Sequence, residues 1–345
     1  MRKIIVRSVA ALLLPVPFLL IFWCVDRALL VYIGRQSYPH YQPCFVWDKE
    51  LHVRYRPECR STFESDRGPI SYSFNELGLR DRAVPVLSAR PAGIAVLGDS
   101  VVKGLFLRQN ETIPARLEEK LGADLGAPFL NAGVRFTSPT TQSHLTEKGI
   151  LPLLPVRGVI WMLNGGDAVD ERYLATQAKA KDDRGYITSF VDPSSDSSYR
   201  FLNAIASWNE GRSVIIDVLT RWEKFSSWRK KLQDVPSDGN TLCPGLFHLA
   251  NALKERKIPL LIVFTPHYRE GIEGIWMGER FEPQELQTMI QCARETGAPV
   301  LDLSAEKLER KWFFEDLIHY TPEGVDWLVG RLSDQIESVF KNDRK

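Results

Sequence analysis

The stretch IAVLGDSVVKG, Ile94 to Gly104, sets four apolar residues in a row and then breaks them with Gly98, Asp99 and Ser100. A short apolar run that stops at a glycine suits a strand buried on both faces. A small, polar, bend-prone triplet at its end suits the carboxyl edge of a parallel sheet, where open α/β folds bind their ligands. G-D-S alone is a weak signal, since ordinary residue usage yields about 0.1 chance matches in a chain of this length.

The same rhythm recurs downstream, in Pro128–Asn131, Val159–Leu163, Leu260–Phe264 and Val300–Leu303. Between these runs lie TIPARLEEKL, SPTTQSHLTEKGILPLL, LFHLANALKERK and EPQELQTMIQCARETG, all amphipathic. Short apolar runs alternating with helical segments predict a parallel sheet with crossover helices. The expected fold is a three-layer α/β/α sandwich on a five-stranded, flavodoxin-like sheet. After Pro322, Val325, Leu328, Val329, Leu332, Ile336 and Val339 share one helical face. The stretch from about 168 to 238 breaks the rhythm and reads as an insertion over one edge of the site. It carries a helical pattern through Val214, Ile215, Val218, Leu219, Trp222 and Phe225. Packing is the default role for its Trp208, Trp222 and Trp228, with sugar stacking or a bilayer face as the alternatives.

With 345 residues and 44% hydrophobic content, the chain can bury a sizeable core. Its 44 Lys+Arg against 43 Asp+Glu create no field of one sign, which sets nucleic-acid binding aside. The N-terminus differs in kind. After Arg2, Lys3 and Arg7, Val9–Val25 carries no charge and approaches the ~17–25 residues of a spanning helix. The early cations favour a cytoplasmic start, which sends the rest of the chain across the membrane. The competing reading, a cleaved signal peptide, lacks an A-x-A-like site, because Phe22, Trp23 and Val25 are too bulky. Residues 1–8 are thus expected as a cytoplasmic tail and 9–33 as a membrane anchor. Residues 34–90 follow as a Pro-interrupted connector with short strands such as Ser71–Phe74, and 91–345 as the extracytoplasmic (periplasmic or extracellular) domain. Of five cysteines, Cys44 and Cys59 lie close together. A local disulfide there and unpaired buried thiols stand as equal readings. There is no C-x-x-C pair, so structural zinc is not expected; no metal and no cofactor are expected at the site.

The strand ends gather Gly98, Asp99 and Ser100; Asn131 to Gly133; Asn164 to Asp167; Thr265, Pro266 and His267; and the loop FFEDLIHYTPEG. A serine becomes a nucleophile when an imidazole takes its proton and a carboxylate holds that imidazole in the right tautomer. Asp316 and His319 supply both groups within one loop. Oxyanion donors are expected from the Ser100 and Gly133 N–H groups and from an amide side chain at the third strand end. Asp99 and Asp167 belong to the rim, Asp99 ordering the turn. His267 is the rival base and another rim residue. The bland alternatives are a helix-capping Ser100 and an ordinary His319. His40, His52, His144 and His248 lack metal-ligand spacing.

Taken together, GDS with Gly104, NAG at 131–133, NGGD at 164–167 and DLIHYTPEG at 316–324 resemble the SGNH (GDSL-type) hydrolase superfamily. NELGLRDRAVP, 75–85, is similar to the lead-in of its membrane-anchored bacterial members. The resemblance implies Ser100 as nucleophile, His319 as base, Asp316 as its partner and Gly133 in the oxyanion hole. The third block departs from the family, with Gly166 where an asparagine is usual. Asn164, two residues earlier on the same strand face, or the Gly166 N–H is expected to substitute. The function so implied is a membrane-anchored serine esterase acting through an acyl-enzyme on an O-acylated glycan or lipid, with O-acetylated polysaccharide as the analogy. The alternatives are an O-acyltransferase using the same intermediate and an inactive glycan-binding or assembly protein.

Overall fold

A computed structural model describes residues 21–27, 44–65, 67–191, 235–266, 283–314 and 316–341. The chain divides into two units, 1–38 with 192–230, and 39–191 with 231–345. Of the first, the described part is the helical segment Ile21–Arg27, in which Arg27 donates to Asp26 at 2.9 Å. The rest of the expected anchor, and the helical pattern around Val214, lie outside the described residues. Among the described residues, no helix is long and apolar enough to cross a membrane.

The second unit opens with two antiparallel hairpins, β1 (Phe45–Asp48) with β2 (His52–Tyr55) and β3 (Arg60–Ser65) with β4 (Gly68–Ser73). Then come β5 (Gly93–Gly98), α1 (Ser100–Lys103), α2 (Ile113–Leu125) and β6 (Phe129–Gly133). Helix α3 (Pro139–His144) runs on as a π-helical segment, Leu145–Ile150, before β7 (Val156–Leu163) and α4 (Gly165–Ala175). A third hairpin, β8 (Ala178–Lys181) with β9 (Ile187–Phe190), precedes α5 (Pro244–Glu255), β10 (Leu260–Phe264), α6 (Pro283–Glu295), β11 (Val300–Asp302) and α7 (Pro322–Phe340). Ala168–Ala175, which the sequence assigns to the insertion, thus belong to α4.

Five parallel strands form one sheet in the order β11-β10-β7-β5-β6. The chain steps from β5 to β6 on one side and returns to place β7 on the other. The strand order therefore reverses at β5 and β7, and a crevice opens at their carboxyl ends. Alternation along each strand feeds two cores. Ile94, Val96, Ile160, Met162, Leu261 and Val263 pack with α2 and α7. Ala95, Leu97, Val159, Trp161, Ile262 and Phe264 pack with α5 and α6.

The amino-terminal hairpins enter that second core through Cys44, Tyr55, Ile70, Tyr72, Phe74 and Leu79. Tyr55 stacks on Phe74 with centroids 4.0 Å apart. A Cys44–Cys59 disulfide closes this segment. A second disulfide, Cys243–Cys292, joins the start of α5 to α6, a pairing that no local spacing announces.

Candidate active site

At the end of β5 the chain turns into α1 with Asp99 as its N-cap. The Asp99 carboxylate accepts the Val101 N–H at 2.8 Å, satisfying one donor that the helix start leaves open. Ser100 is therefore the first helical residue, at the crevice between β5 and β7. Gly104 ends the helix in the left-handed region, φ 81°, where a side chain is strained.

His319 arrives from the far end of the chain, on the loop between β11 and α7. Phe313 and Tyr320 pair as a bridge, and the Phe314 N–H donates to the His319 carbonyl at 2.9 Å, which holds the two flanks of the loop together. Asp316 folds the loop around itself, accepting the N–H groups of Ile318 at 3.1 Å and His319 at 3.0 Å. Leu317 sits at φ 60°, a strained conformation for its type. The buried Tyr320 hydroxyl donates to the Pro266 carbonyl at 2.6 Å, tying the loop to the end of β10.

These elements bring Ser100 Oγ to 2.8 Å from His319 Nε2, and His319 Nδ1 to 2.6 Å from Asp316 Oδ2. A carboxylate only accepts, so Nδ1 carries the proton and Nε2 is left to accept from the serine hydroxyl. Burial raises the Asp316 carboxyl, but the charge and ring N–H of His319 and two backbone N–H groups outweigh it and hold the group below its ordinary value. Asp316 is thus ionised and able to stabilise an imidazolium. The Phe106 ring meets the imidazole edge-on at 5.5 Å, and Phe314 meets Phe106 at 5.4 Å, giving the base an apolar wall.

The expected oxyanion donors are placed differently. Ser100 N–H has no hydrogen-bond partner among the described residues. The Gly133 N–H donates to Asn131 Oδ1 at 3.1 Å, and the Gly166 N–H to Asn164 Oδ1 at 2.7 Å. Asn164 Nδ2 donates to Asp99 Oδ2 at 3.1 Å. The space above Gly133 goes to the protein itself: a Cβ there would lie 2.2 Å from the Lys103 backbone nitrogen. Its missing side chain lets α1 settle on β6.

Asp167 lies beneath these groups, fully buried, and accepts from the Asn164 N–H at 2.8 Å and from Gln142 Nε2 at 3.0 Å. Burial, and then the nearby Asp99 charge, push its carboxyl well above its ordinary value. Trp161 Nε1 in turn donates to Gln142 Oε1. Asp167 is thus an internal support of Asn164 rather than a rim residue. His267 lies outside the described residues. Among those described, no group of three or more His, Cys, Asp or Glu side chains is placed to hold a metal.

Sequence reasoning missed Arg80, Gln142 and Phe106. Arg80 stood in the quoted lead-in NELGLRDRAVP, and nothing in its spacing marks a buried guanidinium. No family model matches the chain, and no curated protein matches it. It is similar to several solved structures. AlinE4, described as an SGNH-hydrolase family esterase, is 19% identical over 72% of this chain and 96% of that one, with a TM-score of 0.36. A carbohydrate acetylesterase family member from Sinorhizobium meliloti is 12% identical over 72% and 99%, with a TM-score of 0.44. The psychrotrophic esterase EstA from Pseudoalteromonas sp. is 11% identical over 71% and 97%, with a TM-score of 0.42.

Proposed function

We propose that the protein is a membrane-anchored serine esterase that cleaves ester or O-acyl bonds on an extracytoplasmic glycan or lipid. The carrying observation is the Asp316–His319–Ser100 relay, with separations of 2.6 and 2.8 Å. In this reading Ser100 Oγ attacks the acyl carbonyl while His319 Nε2 takes its proton. His319 then returns that proton to the departing alkoxide, leaving an acyl-enzyme. Water, deprotonated by the same imidazole, attacks the acyl-enzyme; the acyl–Oγ bond breaks, His319 passes the proton to Ser100 Oγ, and the acid leaves. In the same reading the Ser100 N–H donates to the developing oxyanion, and Asn164 Nδ2, which holds Asp99 beside it, joins it.

The two disulfides support an oxidising compartment. The uncharged run Val9–Val25 behind three cations supports an anchor with the domain outside. A second reading, an inactive binding protein, draws on the engaged Gly133 and Gly166 N–H groups. A fluorophosphonate probe decides between them. An esterase is labelled, and Ser100→Ala abolishes the label, whereas absence of label from the wild-type protein overturns the proposal. Aryl acetates and longer acyl esters, offered with and without an oligosaccharide acceptor, then separate hydrolysis from acyl transfer.

A further inference from the structure

Arg80 has no exposed surface, yet its guanidinium faces the nucleophile's helix. Nη1 donates to the carbonyls of Lys103 at 3.0 Å and Gly104 at 2.6 Å, and Nη2 donates to that of Leu107 at 2.7 Å. The Tyr72 ring covers it, 4.3 Å from the guanidinium carbon. The Lys103 carbonyl closes α1, where helix carbonyls lack intrahelical donors, and a cation there also complements the helix dipole; Gly104 is its C-cap and Leu107 lies on the segment that follows. Arg80 is itself fixed: Gln109 Nε2 donates to its carbonyl at 3.0 Å, and its neighbour Asp81 accepts the Asn131 N–H at 2.6 Å.

The helix it caps is short. Helix α1 has four residues, and at about 1.5 Å rise per residue its two ends move as one body. The N–H groups of Gly104 and Leu105 both donate to the Ser100 carbonyl at 3.1 Å, so a shift at the capped end reaches the serine directly. At the other end Asn164 holds Asp99. Tyr72, which covers Arg80, also accepts the Phe106 N–H at 3.1 Å, and the Phe106 ring meets His319.

We propose that Arg80 is a positioning residue for the Ser100 hydroxyl, locking the carboxyl end of α1 so that Oγ stays within proton-transfer distance of His319; this rests on the esterase reading above. Its planar fork holds these carbonyls in one fixed geometry, whereas a lysine ammonium, a point charge with three donors on a flexible stem, holds them less rigidly. A displacement near 1 Å at a reacting atom lowers rates by roughly a hundredfold. The effect belongs in kcat and in the rate of fluorophosphonate labelling, because Arg80 touches no substrate.

The test compares wild type, Arg80→Met, Arg80→Lys and a control, Arg157→Met, whose guanidinium donates to Leu125 O at 2.8 Å from the start of β7. Turnover of an aryl acetate, labelling rate and Tm are measured well below the lowest Tm. Arg80→Met is expected to lose about 30- to 100-fold in kcat and labelling rate at a KM within twofold of wild type. Arg80→Lys is expected to recover part of the loss, and Arg157→Met to match wild type. A folded Arg80→Met with kcat within threefold of wild type overturns the proposal. Should that variant not fold, Arg80→Lys carries the test: kcat about five- to tenfold down at unchanged KM supports it, and wild-type kcat overturns it. A wild-type protein with neither turnover nor Ser100-dependent label overturns the esterase reading, and this proposal with it.

Discussion

The backbone nitrogen of Lys103 sits where a Cβ on Gly133 would press, at 2.2 Å, so strand β6 and the helix bearing Ser100 are in backbone contact. Neither partner is a flexible side chain that can swing aside. Gly133→Ala is therefore expected to cost about 1–3 kcal/mol and to lower the labelling rate of Ser100 as α1 is lifted. Chemical denaturation and probe kinetics check both. An alanine variant with unchanged midpoint and labelling would show that the contact yields freely.

Asn164 caps α4 through its Oδ1 and holds Asp99 through its Nδ2. Asn164→Ala is expected to cost about 1 kcal/mol of stability as a lost cap. It is also expected to reduce turnover by roughly 100-fold, as removal of an oxyanion donor does. If Asn164→Ala turns over like wild type while Gly133→Ala is slow, Asn164 is no oxyanion donor.

Three histidines stand in one row of rings. His52 packs on Phe190 at 5.1 Å, Phe190 on His144 at 5.4 Å, His144 on Tyr186 at 5.1 Å, and Tyr186 on His248 at 3.7 Å. Burial takes His52 from 6.5 down to about 4, and also lowers His144, partly countered by its bond to the Ile187 carbonyl. The folded protein thus binds fewer protons than the unfolded chain between these values. The contribution of His52 is complete above pH 6.5 and is lost as pH falls toward 4. Melting temperature measured from pH 7 to pH 4 should fall less steeply for His52→Asn than for wild type. Asparagine suits the φ of 66° at this position. Parallel curves would mean that His52 does not titrate in this range.

The two disulfides close loops of different length, 15 residues for Cys44–Cys59 and 49 for Cys243–Cys292. Loop-closure entropy assigns them about 3 and about 4 kcal/mol respectively. The paired replacement of Cys243 and Cys292 by serine is expected to lower the unfolding midpoint more than that of Cys44 and Cys59, with reductant abolishing the difference. The reverse order would show that native contacts around the hairpins, rather than chain entropy, set the loss.

The sheet was readable because each of its strands is a short, nearly pure apolar run: Leu260–Phe264 matches its observed limits, and β7 extends the expected Val159–Leu163 by three residues. Ser100, Asp316 and His319 were readable for a related reason, since strand ends must converge once the sheet order is known. The donors around the oxyanion were not. Their availability depends on bonds such as Asn131 to Gly133, which residue type does not encode. The amino-terminal hairpins were legible only in part: the expected short strand Ser71–Phe74 overlaps β4, but the pairing of β1 with β2 and of β3 with β4 was not readable. Pro57 and Pro69 break the pattern, and β4 alternates only as far as Ile70 and Tyr72 pointing inward. Arg80 lay beyond any composition rule, because a charged residue is expected at the surface until the helix end beneath it is seen.

Ser100 precedes the imidazole that reaches it by 219 residues. During synthesis the hydroxyl therefore emerges long before the imidazole that reaches it. A half-made chain carries the alcohol alone, and the hydrogen-bonded pair comes into being only when the last crossover closes and α7 docks on the sheet.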